Sequence, residues 1–78
     1  MLVLRNIKMK DNIISADYYP ENEEVFGHIE VDVKSDEIIF LKKAPGYEHS
    51  TDPIHAQYAL MGIAKSGKIP KERTVLWY

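Results

Sequence analysis

Five side chains that could take part in chemistry lie within one short segment near the middle of the sequence: Tyr47, His49, Ser50, Asp52 and His55. The spacing His-x-x-Asp-x-x-His offers two imidazoles and a carboxylate, which are ligand types that zinc accepts. This spacing is not an established metal signature, and Asp52 is also well placed to cap a helix. We therefore expect a candidate ligand loop formed by Tyr47, His49, Asp52 and His55, and we assign no metal site.

The residue types of a hydrolytic triad also occur here, as Ser50, Asp52 and His55. Triads are recognised by geometry and roles, and nothing nearby resembles a nucleophile elbow or an oxyanion loop. The chain has no cysteine, which excludes cysteine nucleophiles and thiolate zinc sites. Its four glycines form no phosphate-binding loop. We predict no catalytic residue, no cofactor and no enzymatic activity.

The one basic cluster, Lys65, Lys68, Lys71 and Arg73, lies near the end of a predicted helix. Cations at that end complement the negative pole of the helix dipole, which explains the cluster without a ligand. Nucleic-acid binding calls for a broader basic surface with stacking aromatics, and the net charge of the chain is −2. A weak nucleic-acid interaction through this cluster remains an alternative hypothesis, but nucleic acid is not the partner that we expect.

The other titratable groups fit structural roles. His28 lies in the middle of a predicted strand, beside Glu30 and Asp32 on the more polar face, where a solvated cross-strand pairing is the simplest interpretation. The carboxylates in the loop 21–24 are too few and too irregular for a calcium site.

Short strands and one helix must position these side chains. Period-two alternation and turn residues predict strands at 2–9, 13–19, 25–33, 37–42 and 74–78, with the helix between the last two. Short loops between consecutive strands indicate antiparallel hairpins. We predict one α+β domain over residues 1–78. It is an antiparallel β-meander of four to five strands with one helix packed on one face (ββββαβ), in strand order 5-1-2-3-4.

Two of these strands are expected to differ in burial. In 25–33, Val25, Gly27 and Ile29 share one face while Phe26 and His28 share the other, which indicates a buried and a wetter face. In 37–42, the unbroken apolar run from Ile38 to Leu41 predicts burial on both faces.

The helix is predicted to begin at Pro53, with Asp52 as its N-cap, and to end near Ser66, with Gly67 as a left-handed C-terminal cap.

At about 100° per residue, two apolar faces appear on this helix. The face predicted to contact the sheet comprises Ala56, Ala59, Leu60, Ile63 and Ala64. A second row, Ile54, Tyr58 and Met61, points away from the sheet. Either the loop 43–52 or the C-terminal segment covers this row, or it is a partner interface, most simply a two-fold contact between two copies of the helix.

The two ends of the chain carry different expectations. The first residues run directly into a strand pattern without the features of a signal peptide, and no apolar stretch is long enough to span a membrane. We therefore expect a cytoplasmic protein and no membrane partner. At the other end, Trp77 and Tyr78 indicate a tail that is paired and packed rather than frayed, and a peptide-docking aromatic patch is the alternative.

Several strings in this sequence together resemble a group of small uncharacterised bacterial proteins of about this length. The strings are Asp17-Tyr18-Tyr19-Pro20-Glu21, Pro45-Gly46-Tyr47-Glu48, His55-Ala56 leading into Ala59-Leu60, and Gly67-Lys68-Ile69-Pro70-Lys71-Glu72 with Trp77-Tyr78. The resemblance runs along most of the chain and implies a stand-alone protein in a bacterial cytoplasm. Because that family has no known activity, no functional residue is carried over from it.

The leading hypothesis is a small non-enzymatic binding or self-association module. It would form a homodimer, or bind another protein, through the outer helix face of Ile54, Tyr58 and Met61. The alternatives are a small-ligand or metal-binding protein that uses the Tyr47–His55 loop, and a weak nucleic-acid binder that uses the basic cluster.

Overall fold

The computed structural model describes residues 1–77. Its elements are β1 (Leu2–Lys10), β2 (Ile13–Pro20), β3 (Gly27–Asp32), β4 (Glu37–Lys42), α1 (Asp52–Ser66) and β5 (Glu72–Val75). The strands form one antiparallel sheet in the order β4-β3-β2-β1-β5. The predicted α+β class, the ββββαβ order and the strand order are confirmed. Within residues 1–77, no helix has both the length and the apolar character needed to cross a membrane.

The core lies between α1 and one face of the sheet. Every second residue of β2 and β3 is buried there, including Ile14, Tyr18 and Ile29. Gly27 faces the ring of Tyr18, and a Cβ at this position would clash with that ring and with the carbonyl oxygen of Lys42. The Tyr18 hydroxyl accepts a hydrogen bond from the Ala44 amide at 3.2 Å, which satisfies a polar group inside the core. Burial raises the pKa of the Tyr18 phenol.

The helix follows its prediction closely. Ala56, Leu60 and Ile63 are buried against the sheet, and Gly67 caps the helix with a φ of 76°. The N-cap prediction is wrong by one residue: Thr51 holds that position, and Asp52 is the first helical residue. Pro53 at the second helical position is still compatible, because its missing amide proton has no partner there.

The third strand is shorter than predicted. It begins at Gly27, so Val25 and Phe26 precede it in the connecting loop, and both are exposed. The last strand also lies earlier than predicted, because β5 pairs with the start of β1 through Leu2 opposite Val75.

The prediction that β4 is buried on both faces is wrong. Ile39 is 53% and Phe40 50% exposed. The physical reason is position: β4 is an edge strand, and α1 packs over β1, β2, β3 and β5 instead. Only Ile38 and Leu41 pack against the core, and both remain half-buried.

The predicted packing of the C-terminal tail is confirmed for Trp77. Its ring lies parallel to that of His55, with 3.8 Å between ring centroids, and it packs against the core cluster. Tyr78 lies outside the described residues.

Candidate functional site

The sheet face opposite α1 has no packed element within residues 1–77, and large apolar side chains collect on its β3–β4 side. We call this surface the open-face patch and define it as Tyr19, Phe26, His28, Ile39 and Phe40. Strand alternation places Tyr19 and His28 there, since Tyr18 and Gly27 face the helix, and Phe40 lies opposite Glu30 on the same face. Phe26 stacks on Tyr19, and Ile39 precedes Phe40 where the pairing register with β3 shifts.

Aromatic contacts order this patch. The rings of Tyr19 and Phe26 stack with 5.0 Å between centroids, and the Arg5 guanidinium lies 4.5 Å from the Tyr19 centroid. Phe40 meets His28 edge-on with 5.9 Å between centroids. The rings are therefore held in place, while Phe26 keeps 46% of its surface exposed. Rigid, partly exposed aromatic groups are characteristic of protein-binding surfaces.

His28 links the patch to a polar network that crosses three strands. Its Nδ1 lies 2.8 Å from Oδ1 of Asp17, and its Nε2 lies 3.1 Å from Oε2 of Glu30. Oδ2 of Asp17 accepts a hydrogen bond from the side-chain amide nitrogen Nδ2 of Asn6 at 2.8 Å. The predicted cross-strand pairing of His28 is confirmed, and its main partner is Asp17, directly opposite on β2.

The network favours the charged imidazole. Partial burial alone would lower the pKa of His28, but the hydrogen bonds to Asp17 and Glu30, and the attraction of their negative charges, outweigh it and raise this pKa. Both ring nitrogens face carboxylates, so neither points to open space where it could exchange a proton with a substrate. This arrangement suits a structural ion-pair network better than acid–base catalysis.

The members of the candidate ligand loop differ in burial and in contacts. Tyr47 is half-buried against the core, His49 is exposed, Asp52 is buried at the start of α1, and His55 stacks on Trp77. Burial raises the pKa of the Asp52 carboxyl. In the part of the chain that the structure describes, no three histidine or acidic side chains are arranged to hold a metal ion. Within the loop, the Asp52 amide donates a hydrogen bond to the Ser50 hydroxyl at 3.3 Å, and His55 lies near enough to Asp52 to act on the pKa of its carboxyl.

Tyr47, a member of that loop, lines a shallow cleft of about 510 Å³. The cleft is formed by Glu23, Glu24, Val25, Pro45 and Tyr47. Tyr47 and the two glutamates thus line the same space, although the sequence separates them by more than twenty positions. The sequence placed the carboxylates and Tyr47 in different loops and did not predict that they would meet.

The outer helix row is only partly present. Ile54 is 51% and Tyr58 74% exposed, but Met61 is 9% exposed and belongs to the core cluster. The placement of Met61 on the outer row is therefore wrong. One helical turn earlier, Gln57 donates hydrogen bonds to the carbonyl and the carboxylate of Asp36, so this flank of α1 lies against the β3–β4 turn.

The basic cluster continues from the end of α1 into β5. Lys65, Lys68, Lys71 and Arg73 are all exposed, and Lys68 follows the capped helix end, where its amide donates to the Ser66 hydroxyl. The acidic residue Glu72 lies between Lys71 and Arg73 and forms an ion pair with Arg5 at 3.6 Å. The positive charge at this end is therefore interrupted.

Comparisons with models of protein families, with curated proteins and with solved structures give no match to this chain.

Proposed function

We propose that this domain is a non-enzymatic binding module that contacts another protein chain through the open-face patch. The observation that carries the proposal is the concentration of exposed apolar side chains on one side of the sheet, Phe26, Ile39 and Phe40. One helix can cover only one face of a five-stranded sheet, so residues 1–77 leave these groups in water. A partner chain that covers these apolar side chains would remove them from water, which is energetically favourable.

The chemistry around the patch favours a protein over a nucleic acid as the partner. Asp17 and Glu30 lie directly beside His28, and Arg5 already stacks on Tyr19. Carboxylates at this position would repel a phosphate backbone. A mixture of aromatic rings, one arginine and paired charges resembles the composition of protein interfaces.

The outer helix row supports the proposal less well than the open-face patch. With Met61 buried, only Ile54 and Tyr58 offer apolar surface there, and the next outward position is Gly62. Two isolated apolar side chains are common on the surfaces of monomeric proteins.

Selection of short peptides from a random displayed library against the immobilised domain tests this function. Selected peptides should bind the wild type and lose at least tenfold in affinity for the double variant Phe26→Ser with Phe40→Ser, because the aromatic hot spots are gone. The matched control is Tyr58→Ser, which removes an exposed aromatic group from the helix and should leave peptide affinity unchanged. Peptides that lose affinity only for the Tyr58 variant would show that the binding surface lies on the helix instead. Failure to select any peptide would overturn the proposal.

A second candidate function, binding of a small organic cation, is favoured by the cleft. Tyr47 supplies an aromatic face and Glu23 and Glu24 supply negative charge, which together suit an ammonium or guanidinium group. Calorimetric titration with tetramethylammonium and with guanidinium tests it. Saturable binding should be lost in the variant Glu23→Gln with Glu24→Gln and kept in His49→Gln, which lies outside the cleft lining.

A further inference from the structure

The two edges of the sheet differ in their readiness to pair. β5 is only four residues long and follows Pro70, and both features disfavour pairing with another strand. β4 is six residues long, with four consecutive apolar residues between Glu37 and Lys42. Within residues 1–77 its outer side has no strand partner. An uncovered apolar edge of this kind is a template for strand addition.

The exposure of β4 is symmetric about its centre. From Glu37 to Lys42, the residues are exposed, half-buried, exposed, exposed, half-buried and exposed. A β-bulge produces this pattern: the pairing register shifts between Glu30 and Val31 of β3, which leaves Ile39 as an extra residue. Without the bulge, strict alternation would place Glu37 and Lys42 on opposite faces.

This symmetry makes β4 complementary to itself in the antiparallel direction. When two copies meet with Glu37 opposite Lys42, Ile38 lies opposite Leu41 and Ile39 lies opposite Phe40. Each pair then joins residues with the same exposure, and the two terminal pairs join opposite charges. Any shift by one residue would pair a half-buried with an exposed side chain and would separate the charges.

We infer that a second copy of this chain pairs antiparallel with β4, with Glu37 of each copy opposite Lys42 of the other. This inference deepens the proposed function, on which it rests, because Ile39 and Phe40 belong to the open-face patch and the partner is now named. The two sheets join into one of ten strands with both helices on the same side. The two open-face patches then become a single surface, in which Phe40 of one copy packs against Ile39 of the other.

Sedimentation of the wild type over a concentration series, together with charge reversal, tests the inference. A six-residue contact is small, so the dimer is expected to dissociate on dilution. Glu37→Lys alone and Lys42→Glu alone each turn both terminal pairs into like-charge pairs, and each should raise the dimer dissociation constant roughly tenfold or more. An equimolar mixture of the two single variants restores both opposite-charge pairs and should form a heterodimer. The double variant should dimerise like the wild type.

Both positions are exposed, so neither single variant should lose its fold, and circular dichroism melting checks this. A wild type that stays monomeric at millimolar concentration would overturn the inference. So would single variants that dimerise as well as the wild type, or a mixture that forms no heterodimer. In each of these cases the peptide experiment with the Phe26 and Phe40 variant still decides the proposed function separately.

Discussion

The two faces of the same sheet have opposite characters, although consecutive residues of the same strands build both. On the covered face, Tyr18 and Ile29 are fully buried in one core cluster with Leu60 of α1, and within residues 1–77 the only buried charged residue is Asp52. On the open face, Phe26 and Phe40 stay half exposed around a histidine held by two carboxylates. The difference indicates that the covered face supplies the free energy of folding, while the open face can be altered with little cost to stability.

The largest effect should come from removing a buried leucine. We expect Leu60→Ala to lower the free energy of unfolding by about 2–5 kcal/mol, because it leaves a cavity between helix and sheet. Phe40→Ala, on the open face, should lower it by only roughly 1 kcal/mol, since half of that ring is already in water. Urea unfolding measures both, and equal losses would contradict the division between the faces.

The next largest change in stability is expected from an alanine substitution at Gly27, which we compare with the same substitution at Gly62. Gly27→Ala should destabilise the domain by about 1–3 kcal/mol, because the new methyl group meets the Tyr18 ring and the Lys42 carbonyl oxygen. Gly62→Ala is the matched control: its Cβ would enter open space on the outer face of α1, so alanine should stabilise the helix by about 0.5–1 kcal/mol. Thermal melting compares the two, and a tolerated alanine at Gly27 would show that Tyr18 can move away.

The smallest expected change in the free energy of unfolding comes from His28 on the open face, and it depends on pH. Folding raises the pKa of His28, so its contribution to stability is complete below the ordinary value of 6.5 and is lost as the pH rises through the raised value. Because His28 and Glu30 are partly exposed, we expect a change of a few tenths to about 1 kcal/mol.

Unfolding free energies at a series of pH values from about one unit below to about two units above that ordinary value would reveal this change. His28→Gln should flatten the profile. Because the chain has three histidines, the comparison uses the difference between variant and wild type. An unchanged slope would show that the contacts with Asp17 and Glu30 do not stabilise the charged imidazole.

The local patterns in the sequence were sufficient for most of the fold. Alternation over Ile29 and Val31, the turn residues and the Gly67 cap are local signals, and each predicts a feature that the structure contains. The wrong predictions concern where an element lies relative to the others in the folded domain. A run such as Ile38 to Leu41 has the same composition in a buried strand and in an edge strand, and only the path of α1 decides between them.

The candidate site was harder to predict for the same reason. The alternation around Gly27 placed Phe26 and His28 on the wetter face, and one helix cannot cover two faces, so part of the open-face patch could have been found. The bulge at Ile39 could not, because it depends on the register between β3 and β4. Met61 was misplaced because the wheel of an isolated helix does not show which segments pack along its flanks, such as the β3–β4 turn that Gln57 contacts at Asp36.

The stacking of Trp77 on His55 has a practical consequence for all of these measurements. The chain has a single tryptophan, so its intrinsic fluorescence monitors the docking of the C-terminal segment onto the first turn of α1. Far-ultraviolet dichroism monitors the sheet and helix as a whole. If the two signals change at the same denaturant concentration, the tail and the sheet unfold as one cooperative unit, and free energies from either signal are interchangeable.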